Sequence, residues 1–166
     1  MRRWPAYSAA AWSFAFAAMS FYWAAGGTAG VDTLGNEIER LADERESGFI
    51  AEVWATGALK VLGGLLALAL VQPGWGIPTR ALRIAAWAAG VLLTVYAAAN
   101  FVQHGLMEAG AVDTPEDLGS DAVTWHLALW DPWWLLGGIL FLLAAREYSM
   151  ASGDREVRSG LRPRTR

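Results

Sequence analysis

The run from Ala81 to Met107, ALRIAAWAAGVLLTVYAAANFVQHGLM, holds a single charge, Arg83, near its start. About 20 apolar residues in a helix cross the ~30 Å hydrocarbon core of a bilayer, so this stretch reads as a membrane span. Its final turns and the residue after it, Asn100-Phe101-Val102-Gln103-His104-Gly105-Leu106-Met107-Glu108, carry amide and titratable side chains where a membrane helix bears them only at a cost. At 3.6 residues per turn, Ala86, Ala89, Gly90, Ala97, Asn100 and His104 fall on one side. Small residues there let a neighbouring helix come close.

The rest of the composition agrees with a membrane chain. Of 166 residues, 55% are apolar and 17% charged, and the charges sit in short blocks separated by long uncharged runs. The absence of Cys excludes disulfides, thiolate nucleophiles, and zinc or iron–sulfur sites held by Cys. The net charge of −3 decides little, because the sign alternates from loop to loop.

Three further spans are expected. Residues 6–25 carry no charge and follow Arg2 and Arg3. A secretory signal peptide is the competing reading of that start. The run exceeds a signal core of about 7–15 residues, and the cleavage-like Ala15-Phe16-Ala17 comes too early in it, so a retained helix is expected. The second span covers about 49–71, interrupted by Glu52 near one end and Lys60 near its middle. The fourth covers about 123–145 and contains Asp131-Pro132. Between spans two and three, Gln72-Pro73-Gly74-Trp75-Gly76-Ile77-Pro78 cannot continue a helix.

The first connection is acidic, and in it Leu34, Ile38 and Leu41 recur at helical spacing. Asn36 followed by Glu39 resembles an N-terminal capping pair. The second acidic connection carries Thr114-Pro115-Glu116-Asp117, which suggests a capped helix start. A short interfacial helix is expected in each loop.

Orientation follows from the basic residues. Arg2, Arg3, Arg80, Arg83, Arg146, Arg155, Arg158, Arg162, Arg164 and Arg166 lie on one side and Arg40 and Arg45 on the other, with Lys60 inside a span. The positive-inside rule then puts both termini in the cytoplasm and both acidic loops outside, as an even number of spans requires. Trp4, Trp23, Trp54, Trp87 and Trp125 fall near the expected membrane boundaries, as an aromatic belt does. The expected fold is all-α: an integral membrane antiparallel four-helix bundle over residues 1–149. Residues 150–166 are expected to form a basic, disordered cytoplasmic tail suited to anionic headgroups rather than nucleic acid.

In this topology Lys60 lies ~16 Å below Phe49 and Asp131 ~12 Å below Val123 at 1.5 Å per residue. An unpaired ion at that depth costs at least ~2.5–3.5 kcal/mol, which favours an ion pair between them. Such a pair could simply lock two helices together. Alternatively, Glu52, Tyr96, Asn100, Gln103, His104, Glu108, His126 and Asp131 line an outward-facing polar pocket with Lys60 as its floor. Glu52, His104, Glu108 and His126 also lie close enough to the interface to be merely solvated. His104 and Glu108, four apart, can face each other as an acid/base relay. The two His could ligate a haem or metal, but two alone make a thin ligand set, and no cofactor is expected. No phosphate loop or Ser-centred nucleophile motif is present, and Gly26-Gly27-Thr28-Ala29-Gly30 lacks the context of a dinucleotide fingerprint.

Two stretches, Phe21-Tyr22-Trp23-Ala24-Ala25-Gly26-Gly27-Thr28-Ala29-Gly30-Val31-Asp32 and Trp130-Asp131-Pro132-Trp133-Trp134-Leu135-Leu136-Gly137-Gly138, carry a resemblance. They resemble a family of small four-helix membrane proteins of actinobacteria catalogued as a domain of unknown function. The resemblance covers about Trp12 to Ala145 and implies a bacterial cytoplasmic-membrane protein without naming an activity. The spacing of His104 and Glu108 beside a Trp-rich wall is also similar to the emopamil-binding sterol isomerases, in which such groups move a proton on a lipid-like substrate. The rest of that family's pattern is absent.

The functional expectation is a multi-pass membrane protein that binds a small or lipid-like ligand, or a membrane partner, through the outer polar pocket. The alternatives are an isomerase-like membrane enzyme using His104 and Glu108 on an amphipathic substrate, and a small transporter acting as a homo-oligomer.

Overall fold

The computed structural model describes residues 2–160, and every regular element among them is helical. Helix α1 spans Trp4–Ala24, with Pro5 in its first turn, where a missing N–H costs nothing. It stops at Gly26, whose φ of +106° no helix accommodates, and Arg45 donates from Nη2 to the freed Ala24 carbonyl at 3.1 Å. A short 3₁₀ turn, Val31–Thr33, leads to α2, Asn36–Asp43. Helix α3 covers Ser47–Ala69. Its cap is Glu46, which accepts from the Phe49 amide at 2.7 Å; amide donors at Phe49 and Gly48 hold this carboxyl below the usual glutamate range. Helix α4 spans Thr79–Glu108 after Pro78. The last helical stretch opens with α5, Ser120–Trp125, passes through a π turn at His126–Trp130 and continues as α6, Asp131–Gly160.

Three local expectations change. Gly35, not Asn36, is the N-cap of α2, and the Asn36 side chain instead donates to the Glu116 carbonyl at 2.8 Å, tying the two acidic loops together. No helix starts at Thr114; residues 116–118 form a turn, closed by the Leu118 and Gly119 amides on the Pro115 carbonyl. Gly119, with φ +80°, follows too soon for a helical turn to propagate. Finally, helix α6 runs past residue 145 to Gly160, so the segment expected to be a tail is helical up to there. Residues 161–166, with Arg162, Arg164 and Arg166, lie outside the described residues, as do the side chains of Arg155 and Arg158.

The long helices pack antiparallel: α1 against α3 and α6, and α4 against α6, while α3 and α4 meet only lightly. Glycines make these approaches possible. Gly57 and Gly64 of α3 sit under the rings of Phe21 and Phe14 of α1, and Gly137 of α6 lies under the Trp12 indole. At the α4–α6 seam, Gly90 faces the backbone of Leu142, and Gly138 faces Thr94. The small-residue face read from the sequence of α4 is the one used, since Ala86, Gly90, Ala97 and His104 are buried there.

Three helical stretches, Ser47–Ala69, Thr79–Glu108 and Ser120–Gly153, are long and apolar enough to cross a membrane. Their outward faces are apolar too: Leu59, Leu62, Ile84, Leu92 and Val95 are all exposed. Helices apolar on every side need a non-aqueous surrounding. An open groove of about 270 Å³ between α3 and α4, lined by Leu62, Leu66, Trp75, Ile77 and Leu82 among others, is almost wholly apolar and lies at the end of the helices nearer the chain termini.

The glycine contacts generate a paired test. A Cβ at Gly138 would stand 2.7 Å from the Thr94 backbone nitrogen, and one at Gly90 would stand 2.8 Å from the Leu142 nitrogen, neither of which can step aside. Gly138→Ala and Gly90→Ala should each cost about 1–3 kcal/mol in detergent unfolding, as overpacked cores do. Gly105→Ala, with nothing within 4 Å, should be neutral or should stabilise by up to about 1 kcal/mol through helix propensity. Equal effects at all three positions would refute these helix contacts.

Candidate functional site at the loop end of the helices

The π turn decides where the polar groups point. Pro132 has no N–H to donate and its ring crowds the carbonyl four residues back, so a regular ladder cannot pass through this segment. The Asp131 amide instead donates to the His126 carbonyl, five residues back. In an α-helix two residues five apart diverge by about 140°, at 3.6 residues per turn. The wider turn brings His126 and Asp131 to the same side, facing α4.

Asp131 is 2% exposed, and His104 of α4 is 7% exposed. His104 Nδ1 donates to Asp131 Oδ2 at 2.7 Å, a short, charge-assisted bond. A carboxylate on Nδ1 fixes the orientation of the ring and turns Nε2 away from Asp131. His126 stacks on His104 with ring centroids 4.5 Å apart and an interplanar angle of 33°. Its Nδ1 stands 3.9 Å from Asp131 Oδ1, beyond hydrogen-bond range, while Nε2 donates to the Leu34 carbonyl at 3.3 Å.

The first acidic connection roofs this trio. Leu34 directly follows the 3₁₀ turn, in which Thr33 Oγ1 donates to the Gly30 carbonyl at 2.6 Å and accepts from Trp130 Nε1 at 3.0 Å. The Asn36 and Glu37 amides pair with the Leu118 and Asp117 carbonyls, joining the roof to the second connection. Helix α4, the π turn and α6 therefore meet at one carboxylate, and the first loop joins them through His126.

The other expected residues lie apart from it. Lys60 does not pair with Asp131: its Nζ donates to Ser20 Oγ at 2.7 Å and stands 3.6 Å above the Phe16 ring and 5.7 Å from that of Trp134. The reason is the order of the helices. Helix α3 packs on α1, so its mid-helix charge faces α1 rather than α6. Glu52, Gln103 and Glu108 are exposed, and Asn100 is half-buried one turn below His104. His104 is thus bonded to Asp131 instead of Glu108. Tyr96 is exposed, its ring edge-on to Trp134 at 5.2 Å. Thr33, Leu34 and Trp130 were not read as site residues. The usable signal was Pro132, which marks a break in the helical ladder beside an ionisable residue.

The buried pair makes its own prediction. His104→Ala leaves the carboxylate without its donor, and removing one partner of a buried pair costs about 3–5 kcal/mol, to be read as lost thermal stability in detergent. Replacing both partners, His104→Leu with Asp131→Leu, should recover most of that loss. A His104→Ala protein as stable as the parent would show that the pair is not formed.

No curated protein and no solved structure matches the chain. A family model described as "Protein of unknown function (DUF3995)" matches residues 13–141, which is most of its length. The chain that brings His104, Asp131 and His126 together therefore belongs to the DUF3995 family.

Proposed function

We propose that this chain is a multi-pass membrane protein in which α1, α3, α4 and α6 each cross the bilayer of a bacterial cytoplasmic membrane, and that its buried His–Asp–His trio binds the polar part of a small or lipid-like ligand from the outer leaflet. Both termini are cytoplasmic in this reading, which rests on the ten basic residues that flank that side in the sequence. Helix α1, at 21 residues, is about 31 Å long, enough to span beside the three more apolar stretches.

The observation that carries the ligand reading is Asp131, a buried carboxylate held between two imidazoles among largely apolar helices. Such a bundle closes without ionisable groups, and those found within a membrane mark function by default. The 2.7 Å bond from His104 also supports a second reading, a membrane enzyme in which an Asp131-oriented His104 moves a proton on an amphipathic substrate.

Orientation has a clean test, because the chain contains no Cys. A single Cys at Glu39 or Asp113 should react with an impermeant maleimide in intact cells, and one at Arg80 only after lysis. The reverse pattern would overturn the orientation.

Native mass spectrometry of gently solubilised protein tests the ligand. A retained lipid-like species is expected in the parent and is expected to be lost in Asp131→Asn, whose side chain keeps the shape and drops the charge. An empty parent that also takes up nothing from added membrane lipids, or a ligand held equally by Asp131→Asn, would overturn the site.

A further inference from the structure

We propose that His104, Asp131 and His126 hold a divalent transition-metal ion of the Zn2+ or Fe2+ class. This deepens the ligand reading above, on which it rests, by naming what would grip the ligand's polar head.

The three residues each offer one ligating atom, and these atoms lie within 4.8 Å of one another. Metal–ligand bonds of ~2.0–2.1 Å in a tetrahedral site put ligand atoms about 3.3 Å apart. The separations here, 2.7 Å from His104 Nδ1 to Asp131 Oδ2 and 3.9 Å from His126 Nδ1 to Asp131 Oδ1, straddle that value. Rotation of the side chains would bring both imidazole nitrogens and one carboxylate oxygen, now within 4.8 Å of one another, onto a common ion.

The outer partner of His126 points the same way. A ligating imidazole typically donates its second N–H to a carboxylate or backbone carbonyl, which fixes the tautomer and aims the free lone pair. His126 does this through Nε2 to Leu34, leaving Nδ1 free to face Asp131. A hydrogen bond to Asp131 is out of reach at 3.9 Å, so an aimed, partly buried lone pair is left beside a buried carboxylate.

Two imidazoles and one carboxylate without thiolate favour Zn2+ or Fe2+ over soft ions, and three protein ligands leave a position open for a water or a ligand oxygen. An ion held at His104 Nδ1 would take the place of the hydrogen bond to Asp131, with the ring's N–H then on Nε2. The ion also offsets the carboxylate charge in a low-dielectric setting, which the fold otherwise manages with hydrogen bonds alone.

The test uses the full chain in mild detergent, stripped with a chelator and titrated with Zn2+ or Co2+. One ion per chain by elemental analysis is expected, together with the visible absorption bands of low-coordinate Co2+ and a raised melting temperature. His126→Gln and Asp131→Asn should each weaken uptake by about tenfold or more, since loss of even an outer partner costs that much. Melting curves of the metal-free variants show that they fold. An ion bound equally by parent and variants, or no Co2+ bands, overturns the proposal. A metal-free parent that keeps an Asp131-dependent lipid-like ligand removes the ion and leaves the ligand site. Ion uptake without any retained or added ligand does the reverse.

Discussion

A carboxylate with 2% of its surface exposed must be met by donors from the protein, because neither water nor lipid can serve it. The loop end of this chain is built around that requirement at Asp131. The π turn that aims Asp131 inward also turns His126 to the same side, and the straight face of α4 supplies His104. The roof follows from these placements. His126 needs an acceptor for Nε2–H and finds the Leu34 carbonyl; Trp130, on the same turn, needs one for its indole and finds Thr33. Satisfying the trio thus fixes the path of the first acidic connection, and Asn36 carries that constraint on to the second.

Away from this end, the helices are held by shape. In an apolar surrounding, association draws on close packing and on bonds between helices rather than on expulsion of water. Rings set over glycines do this along α1, where Phe14 and Phe21 lie on Gly64 and Gly57, and Trp12 lies on Gly137. The Trp12 indole also donates to the Trp133 carbonyl at 3.0 Å, so its ring is pinned as well as packed. Between α4 and α6 the close approach is backbone to backbone, at Gly90 and Gly138. These contacts explain why α4 follows α6 closely while α3, whose glycines face α1, leaves an open seam towards α4.

The long helices were legible because their length and apolar character are local properties, and the buried face of α4 was legible because its small residues recur at the helical period. What the sequence did not reveal is which helix stands next to which. Periodicity assigns Lys60 a depth and a face but no neighbour, so it favours the economical pairing with Asp131, whereas α3 packs on α1. The capping signs in the loops misled for a related reason. Asn36 and Thr114 carry the side chains that start helices, but Asn36 is drawn into a bond between loops, and Thr114 is followed too closely by Gly119. Of the site, His104, His126 and Asp131 were recognised as candidates, but so were Glu52, Gln103 and Glu108, which are exposed. Depth alone does not separate a residue facing the bundle from one facing outwards.

Among the described residues, Lys60 and the His104–Asp131–His126 trio both carry ionisable groups in among the helices, and comparing them shows why one is the candidate centre. Lys60 is satisfied: its ammonium has the Ser20 hydroxyl and the face of Phe16, a cation–π contact that gains strength where water is scarce. Nothing ionisable is held beside it among the described contacts, and the rings of Phe16 and Trp134 lie near it. The trio is different. After every hydrogen bond is counted, His126 Nδ1 and Asp131 Oδ1 still face each other at 3.9 Å, too far to bond and close enough to share a third atom. A group that serves only to lock helices has no need of unused lone pairs aimed at one point. Unspent coordinating capacity under a roof of loops, and not mere burial of charge, distinguishes this end of the molecule from the Lys60 layer.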